Sequence, residues 1–198
     1  MSDQWRLLAV AGHTGDEAAA RAGLEADDPQ SRVLALGALV RMDALTAADL
    51  QRASADADAG VRRRVAQLAA TRPDMSVLSL LRDIEPTVAE TAAWAAGEQE
   101  QVHDDVLQEL IGLATAATDA LVREACVAAL GAIGDERGLP AVLAGCVDKP
   151  AVRRRAVLAL APFDGPEVRA AWRAALEDRD WQVRQAAEDL APFMDDDG

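Results

Sequence analysis

Apolar residues in this chain recur at helical spacing, and the spacing itself repeats. Val122 is followed by Cys126, Ala129 and Leu130, Val152 by Ala156, Ala159 and Leu160, Val61 by Val65, Leu68 and Ala69, and Val183 by Ala187 and Leu190. Offsets of 0, 4, 7 and 8 from the valine fall on one side of an α-helix. The same short phrase opens each segment: Asp148-Lys149-Pro150-Ala151-Val152-Arg153, Asp180-Trp181-Gln182-Val183-Arg184, Asp119-Ala120-Leu121-Val122-Arg123 and Asp58-Ala59-Gly60-Val61-Arg62. Two weaker copies are Asp28-Pro29-Gln30-Ser31-Arg32 and Glu85-Pro86-Thr87-Val88-Ala89. With Ser31, Val61, Val88, Val122, Val152 and Val183 taken as equivalent, the spacings are 30, 27, 34, 30 and 31 residues, a repeat period that chance does not produce.

Second apolar segments lie between the phrases, at Leu107 to Ala114, Leu139 to Cys146 and Val168 to Leu176. Each unit therefore reads as a first helix, a short turn, and a second helix whose opening aspartate is its N-cap. Turn signals fall at Gly15-Asp16, Arg72-Pro73-Asp74, Gly134-Asp135 and Asp164-Gly165-Pro166. The pattern predicts 12 or 13 helices and no strand, in one domain over residues 1–198. Residues 1–14 form a capping helix, residues 15–193 form six helical hairpins, and residues 194–198 form an acidic disordered tail. Glu98 to Asp105 reads as an extended acidic loop.

The run from Gly134-Asp135-Glu136-Arg137-Gly138-Leu139-Pro140-Ala141-Val142-Leu143 to Asp148-Lys149-Pro150-Ala151-Val152-Arg153 resembles the short bacterial HEAT repeat, of the kind also found in phycobilisome lyases. The resemblance is close over residues 105–193 and looser over 16–100. It implies an all-α, right-handed α-solenoid, an armadillo/HEAT-like superhelix of about six hairpins, with the second helices on its concave wall. It also implies that Arg32, Arg62, Arg123, Arg153 and Arg184 pair with the turn aspartates Asp28, Asp58, Asp119, Asp148 and Asp180 as a ladder between neighbouring repeats. Something must compensate these arginines, because a helix N-terminus disfavours a cation. Proteins of this kind serve chiefly as interaction scaffolds, so the resemblance speaks to fold more than to function.

Offsets 2, 5, 6 and 9 on the second helices point away from the predicted core and vary between copies. They carry Val33, Leu36, Val40, Trp94, Val127, Val157 and Leu158, more apolar surface than a solvated face requires. The predicted binding site is this face of repeats three to five, with Trp94, Val127, Val157 and Leu158 as apolar contacts, Arg154 and Glu124 setting the charge register, and Glu90 as a further contact. Trp94 has two readings, a binding anchor or a ring packed between repeats. Trp5, Trp172 and Trp181 are expected in packing.

Composition narrows the partner. The chain is 51% hydrophobic but 3% aromatic, which suits closely packed Ala- and Leu-rich helices. Its formal net charge is -14, from 34 acidic and 20 basic residues, which repels a phosphate backbone and argues against nucleic acid as partner. The acidic segments suit a basic protein or peptide. Arginine outnumbers lysine to the point that Lys149 is the only lysine, a usage consistent with a high-GC bacterial genome. Two cysteines, the lack of a long apolar stretch and an opening without signal-peptide features point to a cytoplasmic protein with reduced thiols, outside the membrane.

Catalytic chemistry finds few candidates. His13 and His103 are isolated, so neither a metal site nor the paired His-Glu ligands of the di-iron HEAT enzymes can be assembled from them. Cys126 and Cys146 read as small buried hydrophobes. No cofactor is implied. The function expected is a non-catalytic protein-interaction scaffold holding a peptide or helix on the concave face. The alternative is a HEAT-fold enzyme resembling a bilin lyase or a DNA glycosylase.

Overall fold

Every regular element in the computed structural model, which describes residues 3–72 and 75–194, is helical: thirteen α-helices and a 3-10 turn at Glu136–Gly138, with no strand among the described residues. The chain divides into two compact units, Met1–Leu68 and Ala69–Gly198. The first holds α1 (Asp3–Thr14), α2 (Glu17–Leu24), α3 (Pro29–Arg41), α4 (Ala47–Ser54) and all but the last residue of α5 (Ala59–Ala69). The second holds α6 (Leu78–Leu81), α7 (Pro86–Glu98), α8 (Asp104–Ala116), α9 (Ala120–Ile133), α10 (Leu139–Gly145), α11 (Pro150–Ala159), α12 (Pro166–Leu176) and α13 (Trp181–Met194). The odd-numbered helices from α3 onward are the second helices of the repeat. No described helix is long and apolar enough to cross a membrane.

Helix starts follow from the opening phrase. Asp28, Asp58, Asp119 and Asp180 each accept a hydrogen bond from a backbone N–H of the first turn, at 2.9 Å from Ser31, 3.2 Å from Val61, 2.8 Å from Leu121 and 2.9 Å from Gln182. Asp148 departs from the expected role, because the N-cap of α11 is Lys149, which has no side-chain cap bond. Proline in the first turn of α3, α7 and α11 presets the helical φ. The acidic stretch after α7 is shorter than a free loop. Glu98 ends α7, Asp104 and Asp105 open α8, where their charge suits the helix dipole, and Gln99 donates to the Ala69 carbonyl at 3.0 Å. The expected acidic tail at Asp195, Asp196 and Asp197, and Pro73 and Asp74 of the expected turn, lie outside the described residues.

Burial on the second helices covers a wider arc than a single core stripe. Offset 5 is buried in five copies, at Leu36, Ala66, Ala93, Val127 and Val157, while in α13 it is the exposed Glu188. A second helix packs not only on its own first helix but also on the following hairpin, as Val127 shows: a Cβ on Gly145 of α10 would meet its Cγ2 at 3.1 Å. Offset 9 is a crossing point. A Cβ on Gly97 would lie 3.2 Å from the Cα of Ala129, and one on Gly131 would lie 2.5 Å from the Cβ and 2.6 Å from the Cα of Ala159. Both alanines sit at offset 7 of the next second helix, so glycine lets successive backbones touch at the same place. Gly12 of α1 makes the same approach to Ala38, offset 7 of α3, at 2.9 Å. Helix α1 thus fills the place of a preceding second helix, and buries Leu8 and Ala11 there.

The arginine at offset 1 lies at about 100° on the wheel, between the buried offsets 8 and 5. It is resolved by a bidentate ion pair. Arg32 binds Asp56 at 2.7 and 2.8 Å, Arg123 binds Asp148 at 2.6 and 2.9 Å, and Arg153 binds Asp178 at 2.8 and 2.8 Å. Each guanidinium also donates to carbonyls of the turn before its own helix, Arg123 to Ala117 and Thr118 and Arg153 to Asp148. The pairing acid is therefore not the N-cap aspartate. Asp56 and Asp178 stand two residues ahead of the caps Asp58 and Asp180, whose backbone N–H groups they also accept, at 2.8 Å in both cases. Cap and ladder are separate jobs, which corrects the expectation for Asp28, Asp58, Asp119 and Asp180.

Two tests follow from these contacts. Gly131→Ala should destabilise by about 1–3 kcal/mol through overpacking against Ala159. Gly112→Ala, on α8 where a Cβ meets nothing within 4 Å, should stabilise by about 0.5–1 kcal/mol. Urea unfolding of both variants measures the contrast, and equal signs would show that the helices are not in contact at Gly131.

Hydrogen bonds from Arg123 and Arg153 hold the carboxyls of Asp148 and Asp178 below the ordinary 3.8. A carboxyl more acidic folded than unfolded stabilises the fold fully above about pH 4 and loses that contribution as pH falls through its folded value. The stability gap between the parent and Asp178→Asn should be widest near pH 7 and shrink below pH 4. A gap constant from pH 7 to pH 3 would show that Asp178 is not held by charge.

Candidate functional site

Two grooves open between successive second helices of the Ala69–Gly198 unit. The first, of about 280 Å³, is lined by Glu90, Trp94, Gly97 and Glu98 of α7, Leu121, Glu124, Ala125, Ala128, Ala129 and Ala132 of α9, and Arg155 of α11. The second, of about 290 Å³, has Arg154, Arg155 and Leu158 of α11 facing Trp181, Gln182, Gln185, Ala186 and Asp189 of α13. Arg155 borders both. Small residues make the floors: Gly97 lets α9 come within 3.2 Å of where a Cβ would stand, and alanine at offsets 3, 6 and 10 of α9 leaves room beside the Trp94 ring.

The structure brings together most of the residues singled out on the sequence. Trp94 is 47% exposed and forms part of the first groove, which answers the choice between a packed ring and an accessible one in favour of access. Glu90 is half-buried one turn before it and accepts from Thr91 Oγ1 at 3.1 Å. Glu124 lies 3.6 Å from Arg154 and 3.8 Å from Arg155, so one carboxylate sits between two guanidiniums at ion-pair rather than hydrogen-bond distance. Leu158 is 38% exposed in the second groove.

Val127 and Val157 do not belong to the site. They are 0% and 1% exposed, and a partner cannot reach them. Both occupy offset 5, which faces the next hairpin rather than the inner wall, and Leu36 is buried at the same offset. Trp172 is buried as expected and donates its Nε1–H to the Ala187 carbonyl at 2.8 Å. Trp5 donates to Asp28 at 2.6 Å. Trp181 departs from its expected packing role: it is 65% exposed on the first turn of α13 and lines the second groove. The sequence does not assign Leu121, Glu98, Arg155 or Trp181 to this site, although a large apolar residue in the first turn just ahead of the valine slot, as at Leu121 and Trp181, is a usable signal.

Indole and leucine surface lies beside carboxylates, an arrangement that suits a cationic side chain with an aliphatic stem. Among the described residues no group of three or more His, Cys, Asp and Glu side chains is placed to hold a metal ion. Burial raises both thiols, Cys126 and Cys146, to about 12, with the charge of Glu109 adding to the effect at Cys126.

Comparison with known proteins bears on the fold. Residues 74–151 match the HEAT repeats family. No curated protein matches the chain in sequence. Among solved structures, a designed armadillo repeat protein in complex with the peptide (KR)4 is 15% identical, with 97% of this chain and 98% of that chain covered at a TM-score of 0.56. An engineered protein is 18% identical over 98% and 97% at a TM-score of 0.56. Human deoxyhypusine hydroxylase in complex with glycerol is 18% identical over 96% and 78% at 0.50. At these identities the likeness establishes the fold alone: the chain is an armadillo/HEAT-like helical-repeat solenoid. The family match is to HEAT repeats in general and does not single out the phycobilisome lyases.

With thiols this weakly acidic, iodoacetamide at pH 8 should label the native protein roughly 100-fold more slowly than the urea-unfolded chain. Labelling at the same rate in both states would place a cysteine in an accessible, ionisable setting.

Proposed function

We propose that this protein is a non-catalytic scaffold that binds a basic peptide or helix across the second-helix wall of residues 86–194. The observation that carries the reading is the row of exposed apolar side chains Trp94, Leu121, Leu158 and Trp181, set beside Glu90, Glu98 and Glu124. In a chain with 3% aromatic residues, two half-exposed indoles on one wall have no packing role to account for them. The apolar rings supply contact area, and the acids select for positive charge. The peptide (KR)4 held by the designed armadillo protein is an example of the ligand chemistry such a wall can take.

The enzyme alternative, a bilin lyase-like or glycosylase-like activity, has less support. The groove is alanine-floored, and neither a cysteine nor a histidine is among its lining residues. A cytoplasmic location fits a scaffold with reduced thiols, and Arg154 and Glu124, which pair with each other, would contribute to register rather than to affinity.

Fluorescence anisotropy with a labelled (KR)4 octapeptide at low salt tests the proposal. Trp94→Ala should weaken binding by roughly 30-fold, the equivalent of about 2 kcal/mol, while the melting temperature changes by no more than about 2 °C. Equal affinity of the variant and parent, or the absence of saturable binding by the parent, would overturn the reading.

A further inference from the structure

The repeat contains an internal control for one of its charged positions. Arg154 and Arg155 occupy offsets 2 and 3 of α11, and Glu124, at offset 2 of the preceding second helix, lies between them. Arg63 and Arg64 occupy the same offsets of α5 in the Met1–Leu68 unit. The position equivalent to Glu124 is there Val33, which has no charge to offer. Position 41, equivalent to the alanine at 132, is a further arginine. Three arginines therefore occupy the equivalents of positions that hold two arginines and an alanine in the sister site, and no acid stands where that site has Glu124.

The geometry brings two of them onto one spot. A Cβ on Gly37 of α3 would lie 3.5 Å from Nη2 of Arg64 and 3.9 Å from Nη1 of Arg41, so both forks reach over the same bare backbone position. Arg41 donates weakly to the Gly37 carbonyl at 3.4 Å, and Arg64 donates to Gln67 Oε1 at 3.1 Å. Both partners are neutral. Among the described residues no carboxylate pairs with Arg41, Arg63 or Arg64, whereas the ladder arginines Arg32, Arg123 and Arg153 each have one. Arg64 is half-buried, and its pKa is lowered first by that burial and then by the charge of Arg41. A like-charged, partly desolvated pair with no counter-ion is costly in a chain with 34 acids available to place beside it.

We propose that Arg41 and Arg64, whose guanidiniums meet over Gly37, form with Arg63, the neighbouring residue of α5, and with Val33 in place of the acid of the sister site, a binding site for a phosphoryl dianion. Charge selects the ligand class. The sister site keeps a net charge of one after its carboxylate is counted. Three arginines reach that same residual charge with a ligand carrying about two negative charges, as a phosphate monoester does near neutral pH, and not with a single carboxylate. Guanidinium forks also match phosphoryl oxygens bidentately. A long polyanion is disfavoured by the net charge of -14, which a compact dianion inside the arginine cluster escapes.

Thermal unfolding and calorimetry of the full chain at pH 7.5 test this, with sodium phosphate and O-phosphoserine titrated against sodium chloride and sodium acetate at equal ionic strength. Phosphate should raise the melting temperature by several degrees above the chloride control, and acetate should not. A response to phosphoserine at least as large as that to phosphate identifies a monoester as the ligand form, and a response to phosphate alone identifies the free anion. Arg64→Gln should weaken binding at least 10-fold. Val33→Glu, which installs the acid of the sister site, should abolish the phosphate response and leave the ligand-free protein at least as stable as the parent. The proposal fails if phosphate and chloride act alike on the parent, or if Val33→Glu responds to phosphate as the parent does.

Discussion

A charged side chain in the middle of a buried arc governs this architecture. The second helices from α3 to α11 bury offsets 0, 4, 5, 7 and 8, and in all of them but α7 an arginine at offset 1 projects from within that arc. Leaving a guanidinium unpaired there would cost several kcal/mol. It is compensated at two points fixed relative to each other: carbonyls of the turn before its own helix, and a carboxylate in the turn of the following hairpin, as in Arg153 with Asp148 and Asp178. A bidentate bond has little tolerance for sliding. The ladder therefore sets the register between hairpins, and the glycine–alanine crossings at Gly97–Ala129 and Gly131–Ala159 set how closely they approach.

Once register is fixed, the remaining wheel positions have no choice of direction. Offsets 2, 3 and 6 line one wall, and their chemistry is free to vary because the fold does not depend on it. In the Ala69–Gly198 unit they present Trp94, Glu90, Glu124, Arg154 and Arg155 around alanine-floored grooves. In the Met1–Leu68 unit they present Val33, Gly37, Arg63 and Arg64. One scaffold rule thus yields an acidic, aromatic wall in one unit and an uncompensated basic cluster in the other, which is why the two are assigned different ligand chemistries.

The helix count, the equivalence of the six valine slots and the need to neutralise the arginines were legible in the sequence, because each depends on spacing along one helix. What was not legible depends on the neighbour. Val127 and Val157 looked outward on a wheel with a single core face, but a repeat helix also packs on the hairpin that follows it. The resemblance to HEAT repeats pointed to Asp58 and Asp180 as ladder partners. Their side chains are already taken by backbone N–H groups, and the acids two residues earlier reach the preceding repeat instead. Trp94 could not be sorted on the sequence into exposed or packed, and Trp181 was sorted wrongly into packing, since the choice turns on whether small residues nearby make a groove or a socket. The arginine run at Arg62, Arg63 and Arg64 shows on the sequence as a local basic patch, but its meeting with Arg41 joins two repeats and does not.

The dependence of the stack on its ladder is tested most directly by a double-mutant cycle on Arg153 and Asp178, with unfolding free energies measured for Arg153→Ala, Asp178→Ala and the pair. Register set by this bond requires a coupling energy of about 2 kcal/mol, since each single change leaves the partner charge poorly compensated. Single-variant effects that add to within about 0.3 kcal/mol would contradict it, and would mean that the hairpins are held in place by apolar contact alone.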